Sequence, residues 1–383
     1  GDERFLIMLN GNVNHGIDVQ SELNALYPIL NRGSRVLLLA YNPYMRIIFQ
    51  ILTTLGIRKG EVPQTFLTRP SLESLCKLSS FEIVRMRCVG YVPRLLGLGS
   101  LLNAVYSSLP FTKWFGFVTL IYLRPVKVEE SPKSLTILIP ARNEAGNIEN
   151  AIKRLDDFSG DKHEIIFIEG HSSDNTWEEI QRVRDAYKNR FRIKCYQQSG
   201  KGKSDAVRLG FQHAECDLVT ILDADLTMPP EKLKLFYDAY HDGLGDFING
   251  DRLLYPMDNN AMRFLNHLGN LGFTKLLSIV LEVHLGDVLC GTKLFSRRDY
   301  GRFETWRKDF GDIDPFGDFE LLFPAAQLGL GVVDLPIVYK AREYGETQIS
   351  RFRHGLILIK MTLHGLFKIR MSSLVFKHTR KSD

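Results

Sequence analysis

Between residues 134 and 225, short apolar runs repeatedly end in a knot of polar and charged residues and give way to a helical pattern. The runs Leu135–Ile139, Glu164–Glu169, Arg192–Tyr196 and Asp217–Leu222 have the length and make-up of buried strands. Helical patterns fit between them at about 146–158, 174–189 and 203–214. Alternation at this spacing restricts the region to an α/β fold with a mostly parallel, covered sheet. Ligands of such sheets gather beyond the carboxyl ends of the strands. The residues directly after each run are therefore the informative ones.

Pro140-Ala-Arg-Asn-Glu144 follows the first run, and Glu169-Gly-His-Ser-Ser-Asp174 the second. Ser172, Ser173 or Asp174 can cap the next helix, whose free N–H groups can face a phosphate; a plain capped turn explains the same residues. Gly200-Lys-Gly-Lys203 puts lysines at a helix start, where a pyrophosphate can come close. It lacks the G-x-x-x-x-G-K-[ST] spacing of a nucleotide-hydrolase loop. The fourth run enters Asp223-Ala-Asp225-Leu-Thr-Met-Pro-Pro. Two carboxylates at the end of a buried strand repel and call for a cation. Oxygen ligands suit Mg²⁺ or Mn²⁺, which in turn bridge phosphate oxygens. Helix capping is the competing role for the pair. A second D-x-D, Asp312-Ile-Asp314, sits in a turn-like stretch.

Residues 1–128 alternate too, with strand patterns at Phe5–Leu9, Arg35–Ala40, Phe81–Arg87 and Gly116–Leu123. Val19, Leu23, Leu26 and Leu30 share a helical face that Asp18 can cap, and Tyr44–Leu55 and Pro70–Ser79 read as further helices. A polar stretch with Pro125 and Pro132 marks a boundary. The expected divisions are 1–128, 134–350 and a basic tail, 351–383.

Charge is uneven. Lys and Arg number 49 against 44 Asp and Glu, yet residues 351–383 hold eight cations and one carboxylate. A basic tail on a nearly neutral body suits an anionic surface, membrane or nucleic acid, or else a solvated helix. Arg353, Lys360, His364 and Lys368 interleave with Leu356, Ile359, Leu363, Leu366 and Phe367, the pattern of a helix lying on a bilayer. The apolar window Leu95–Leu123 is broken by Pro110 and Lys113 and does not read as a membrane span. The five cysteines lack disulfide or zinc spacing and read as reduced thiols of a cytosolic protein. No secretory leader is recognisable, and the start at Gly1 reads as the edge of a longer chain or of an expressed fragment.

Taken in order, I-P-A-R-N-E, E-G-H-S-S-D-N-T, G-K-G-K and D-A-D-L-T-M-P-P-E resemble family-two glycosyltransferases of the nucleotide-diphospho-sugar transferase (A-type) fold. Gly250-Asp-Arg252 and Asp287-Val-Leu-Cys-Gly291 continue the series. The stretch from Asp334 through Arg342 to Gln348 resembles that of dolichol-phosphate mannosyltransferases. The resemblance covers about 134–352. It implies a nucleotide-sugar donor, a divalent metal, Mg²⁺ or Mn²⁺, and inversion at the anomeric carbon. By position, Asp223 and Asp225 face nucleotide and metal, with Asp225 the more direct ligand. Lys201 and Lys203, with Arg252 and Arg342, would stabilise the diphosphate or an acceptor phosphate. Pro140, Arg142, Glu144 and Glu169 would line the nucleoside pocket. Gly170 stands where the family often has Asp, Thr227 where a polar metal neighbour is common, and Gln348 where Lys is usual.

The acceptor decides whether a base is needed. A polyprenyl phosphate is already ionised, whereas a glycan hydroxyl needs a carboxylate. Asp318 matches the base position of hydroxyl-directed relatives, and it can equally cap the helix that follows. The preferred reading is a polyprenyl (dolichyl-type) phosphate acceptor at an anionic membrane surface, with no nucleic acid partner. Hydroxyl transfer with Asp318 as base, or sugar-nucleotide binding without turnover, are the alternatives. Residues 1–128 loosely resemble the C-terminal half of a class I methyltransferase. They lack its Gly-rich S-adenosylmethionine loop, which implies a truncated partner domain whose first strand keeps an open outer edge. An unrelated α/β accessory is the other reading.

Overall fold

The computed structural model describes residues 3–16, 18–92, 99–109, 111–156, 163–256, 264–310, 314, 317–342, 344 and 351–370. Gln348, Asp312 and the tail beyond Arg370 lie outside the described residues.

The first sheet holds β1 (Leu6–Asn10), β2 (Arg35–Tyr41), β3 (Phe81–Val89) and β4 (Val118–Pro125) in the order β1-β2-β4-β3. β1 and β2 are parallel, and β4 runs against both of its neighbours. Among the described residues, no strand pairs with the outer edge of β1, where Leu6 and Met8 are exposed. The helix Val19–Leu26 begins where Asp18 accepts from the Ser21 N–H, and Val19 and Leu23 point into the core beneath β2.

The second sheet carries β5 (Leu135–Ala141), β6 (His163–Glu169), β7 (Arg192–Gln197), β8 (Leu218–Ile221), β9 (Phe247–Asp251), β10 (Lys293–Ser296) and β11 (Val332–Pro336). Its order is β11-β9-β10-β8-β5-β6-β7, and β10 alone among these runs antiparallel. β5, β6 and β8 are nearly all apolar because both faces of the sheet are covered, by separate clusters of buried side chains. Their carboxyl ends are adjacent. The reversal of β10 brings its first residue, Lys293, to that same edge.

The two sheets meet through charge. Asp246 is buried; its Oδ2 accepts from Arg35 Nη2 at 2.7 Å and from the Gly331 N–H at 3.1 Å. Its Oδ1 accepts from Arg32 Nε at 3.1 Å and Arg124 Nη1 at 3.4 Å. Arg124 also reaches the carbonyls of Gly243 and Leu244, and a side chain at Gly331 would collide with it. Burial opposes the charge on Asp246, but Arg35, Arg124 and Arg32 outweigh it and hold the carboxyl at about 2. A cavity of about 660 Å³ lies between the sheets, away from the carboxyl edge.

The helix Arg351–Gly365 continues as a π-turn through Leu366–Arg370. Leu358, Met361 and Ile369 pack into the core, while Leu356, Ile359, Leu363 and Phe367 are exposed. Both readings of this segment thus have a face: one packs, one is bare and apolar. No described helix is long and apolar enough to cross a membrane.

Candidate active site at the carboxyl edge

β8 ends at Ile221, and Asp223 and Asp225 follow directly. Leu226 takes a left-handed conformation (φ 54°), closing the turn tightly. Asp225 Oδ1 accepts from the Thr227 N–H (3.1 Å) and hydroxyl (2.8 Å). Thr227 therefore orients the carboxylate rather than standing beside it as a separate polar neighbour. Asp225 Oδ2 accepts from Arg342 Nη2 at 2.6 Å. Arg342 arrives because the strand-like run after β11 lies across the site, with the Lys340 N–H bonded to the Thr227 carbonyl.

Asp223 faces Lys203, Nζ to Oδ1 2.5 Å. Lys203 opens the helix Lys203–Gln212 after Gly202, whose φ of 90° needs glycine. A Cβ at Gly291 would strike both Asp223 and Lys203, so that glycine leaves room for the pair. Burial works against both charges. Asp223 and Asp318 nonetheless raise the Lys203 ammonium, and Lys203 with Lys293 lowers the Asp223 carboxyl. Lys201 is exposed on the same loop.

Glu144 is buried beneath Asp225. Its Oε2 accepts from Asn147 at 2.7 Å, and Arg342 Nη1 lies 3.9 Å from Oε1. Burial pushes its carboxyl up to about 7, with the Asn147 hydrogen bond opposing and the charge of Asp225 adding. The Glu144 N–H donates to Thr176, and Asp174 accepts from the Thr176 N–H. Asp174 thus ties the second knot to the first and starts the helix Thr176–Tyr187. Glu169 is buried, accepting from the Ser172 N–H at 2.6 Å and Gln197 Nε2 at 3.1 Å. Pro140 sits in β5 opposite Ile168. Arg142 is exposed, and its Cβ would lie 3.3 Å from a Cβ on Gly170. The glycine in place of a family Asp therefore leaves space at the arginine stem.

Two expected groups are held differently from expectation. The Arg252 guanidinium is forked onto buried Asp287, Nε to Oδ2 2.6 Å and Nη2 to Oδ1 3.0 Å. It contributes field to Asp223 from behind that pair. Asp318 precedes the helix Phe319–Gln327 but its side chain does not cap it. Asp314 does, accepting from the N–H groups of Phe319 (2.7 Å) and Glu320 (3.1 Å). Asp318 instead accepts from Lys293 Nζ at 2.7 Å, and Lys293 is fully buried. Sequence reasoning missed Lys293, Asp287 as a clamp, and Asp314. A lysine inside a buried β-strand has to find a carboxylate, which was the available signal for the first.

The edge therefore gathers Lys203, Asp223, Asp225, Arg342, Glu144 and Glu169, with Asp318 behind Lys203. Asp223 and Asp225 are oxygen donors, the first partly open to solvent and the second mostly covered, each matched to a partly exposed cation. No described group of three His, Cys, Asp or Glu is placed to hold a metal by itself. A donor set of one or two carboxylates fits a hard divalent ion whose remaining ligands come from a diphosphate and water.

Residues 136–303 match the family Glycosyl transferase family 2. The dolichyl-phosphate hexose transferase of Haloferax volcanii is 27% identical over 226 residues, 59% of this chain and 91% of the relative. The dolichol-phosphate mannosyltransferase of Pyrococcus furiosus is 33% identical over 223 residues, 56% of this chain and 59% of the relative. Among solved structures, a mannosyltransferase from Pyrobaculum calidifontis in complex with GDP-Man and Mn²⁺ aligns with a TM-score of 0.40 at 15% identity. That alignment covers 76% of this chain and 87% of the other. Residues 136–303 are a family 2 glycosyltransferase domain.

Proposed function

From a glycosyltransferase domain as premise, we propose that the chain transfers a hexosyl group, with inversion, from a nucleoside diphosphate sugar to a polyprenyl phosphate at a membrane surface. The observation that carries this is the pair of exchangeable ion pairs, Lys203–Asp223 and Arg342–Asp225, at the carboxyl edge of the sheet. An acceptor phosphate oxygen forms the new bond to the anomeric carbon while the bond from that carbon to the donor diphosphate breaks. The leaving diphosphate takes the electron pair. Lys203 and Arg342 then turn from their carboxylates to the developing phosphate charge, and Arg252, fixed by Asp287, adds its field from behind. Asp225, with Asp223 beside it, would hold a divalent cation, which would supply further charge neutralisation. Glu144 and Glu169 hold the loops that flank the nucleoside, and Pro140 and Arg142 border it.

The phosphate acceptor is supported by the names of two relatives, which specify dolichyl and dolichol phosphates. It is also supported by the state of Asp318. Its carboxylate is engaged by buried Lys293 at 2.7 Å, so a hydroxyl acceptor would have to compete with that lysine for it. Five free thiols suit a cytosolic membrane face. The basic tail would draw the site to anionic lipid.

Transfer to a short-chain polyprenyl phosphate, assayed with a panel of nucleotide sugars, tests the proposal. Asp225→Asn is expected to lower turnover by about 10²–10³-fold while leaving thermal unfolding near wild type. Near-native turnover of Asp225→Asn in excess chelator would refute the metal role.

A further inference from the structure

None of the side chains gathered at the carboxyl edge comes from the N-terminal sheet, yet that sheet carries an unusual surface. In the helix Arg46–Thr54, Phe49 turns inward against Tyr41 and Phe117, ring centroids 4.5 and 5.8 Å away. The opposite face presents Ile47, Ile48 and Ile51 to solvent, followed by Leu55 and Ile57; Ile47 is 70% exposed. A monomeric soluble surface rarely leaves such a stripe bare. Beside it, the turn at Phe111–Phe115 exposes Phe111, Trp114 and Phe115. The two are joined, because Asn42, just before the first helix, donates to the carbonyls of Trp114 (3.2 Å) and Gly116 (2.7 Å).

The surface continues to the C-terminal helix. Arg87 on β3 donates both to Ser107 and to the Arg370 carbonyl, at 3.1 and 2.9 Å. That places the helix Gly99–Ser108, with Leu101 and Val105 exposed, next to the end of the C-terminal segment. The charge of these segments is predominantly cationic; Glu282, from a neighbouring element, is mostly covered and is taken up by Arg85, Arg87 and Arg370 where β3 meets the C-terminal segment. Residues 41–60 hold Arg46, Arg58 and Lys59 and no carboxylate; residues 83–128 and 350–382 likewise contain no Asp or Glu. Bare aliphatic side chains, Trp and Phe beside a largely cationic rim match the interface of an anionic bilayer. A second protein would be expected to meet both signs of charge at its rim.

We propose that the N-terminal sheet is a membrane-docking module. Its helix Arg46–Thr54 and aromatic turn Phe111–Phe115 insert into the headgroup–acyl boundary of anionic lipid, alongside the outer face of the C-terminal helix. The choice of lipid as partner rests on the polyprenyl-phosphate reading; the surface itself does not. Arg342 in the site is separated by only a short stretch of chain from the helix that starts at Arg351. Docking would therefore hold the site close to a phosphate at the membrane plane.

The test uses the full chain and vesicles of phosphatidylcholine with phosphatidylglycerol, without donor or acceptor. Ile47→Asp/Ile51→Asp is expected to weaken co-flotation on the order of tenfold or more, with thermal unfolding unchanged. In Trp177→Phe/Trp306→Phe, Trp114 is the remaining tryptophan, and acyl-chain bromines should quench it. Unchanged flotation of the Ile47 and Ile51 variant, or a Trp114 blind to bromine, overturns the inference. So does a wild-type dimer in sedimentation that the same substitutions dissociate, since the face would then belong to a second copy. Transfer to a water-soluble, short-chain acceptor needs no membrane. If it proceeds while flotation fails, the docking inference falls and the acceptor reading stands; if flotation holds and transfer fails, the reverse.

Discussion

Asp246 and Asp225 are both aspartates at the second sheet, and both are met by arginine, yet they answer opposite needs. The side chain of Asp246 is 5% exposed and its partners Arg35 and Arg124 are 9% and 1% exposed. Every oxygen and guanidinium there is committed, and backbone carbonyls take what the carboxylate leaves. At the carboxyl edge Asp225 is itself only 11% exposed, but its partner Arg342 is 30% exposed, Asp223 and Lys203 are 29% and 31% exposed, and each cation has one principal carboxylate. A closed cluster fixes two sheets against each other. An open one can trade a protein partner for a phosphate at little cost, because water screens both states. Charge pairing alone does not separate structure from function; access does.

The comparison breaks first at the closed cluster. Asp246→Ala strands three guanidinium groups between the sheets and is expected to cost about 3–5 kcal/mol, read by denaturant unfolding. The sign with pH follows from the depressed carboxyl. Its contribution is present above the ordinary 3.8 and is lost as pH falls towards about 2. A substituted chain as stable as wild type at neutral pH would mean that the cluster does not hold the sheets together.

Next comes Asp318, which belongs to both kinds of region. Asp318→Asn leaves Lys293 charged and buried, and stability should drop by roughly 2–4 kcal/mol; Lys293→Met added to it should recover most of the loss. With a phosphate acceptor, turnover per folded molecule of the double variant stays within about tenfold of wild type. With a hydroxyl acceptor the loss is about 10²–10⁴-fold. A collapse of that size, with donor binding intact, would overturn the lipid-phosphate preference.

Much of the open site was legible because its residues follow strands. The knots at Glu144, Glu169, Lys203, Asp223 and Asp225 converge because β8, β5, β6 and β7 lie side by side with their carboxyl ends at one edge, and strand alternation already implied a parallel sheet with such an edge. Arg342 was reachable only by resemblance, since nothing local says that a loop after β11 crosses to β8. What stayed illegible depends on partners distant in sequence. Lys293 meets Asp318 and Arg252 meets Asp287 through a reversed strand and a long helical excursion that no periodicity encodes. The closed cluster was invisible for the same reason: Arg32, Arg35 and Arg124 look like ordinary surface charges until Asp246 arrives from the other sheet. Asp318 as a cap failed because Asp314, four residues earlier, already took the helix N–H groups.

A smaller effect sharpens the contrast within the open site. The raised Glu144 carboxyl makes its ionisation unfavourable in the folded chain. The stability retained below the ordinary 4.5 therefore declines as pH rises through about 7. Glu144→Gln should flatten that slope in unfolding measurements across this range; a curve parallel to wild type would show that Glu144 is not held neutral. The smallest effect is nil. The N-terminal sheet should give no calorimetric response to S-adenosylmethionine, and micromolar binding would restore a cofactor role to it.

The open pairs are expected to exchange partners when a diphosphate arrives. Titration of the wild-type chain with nucleoside diphosphates, in Mn²⁺ and in chelator, measures that directly. The expected result is binding of one base with Mn²⁺, weakened at least about tenfold in chelator, as two carboxylates cannot meet a diphosphate unscreened. Equal affinity with and without the cation would contradict the exchange and leave Asp223 and Asp225 as structural charges like Asp246.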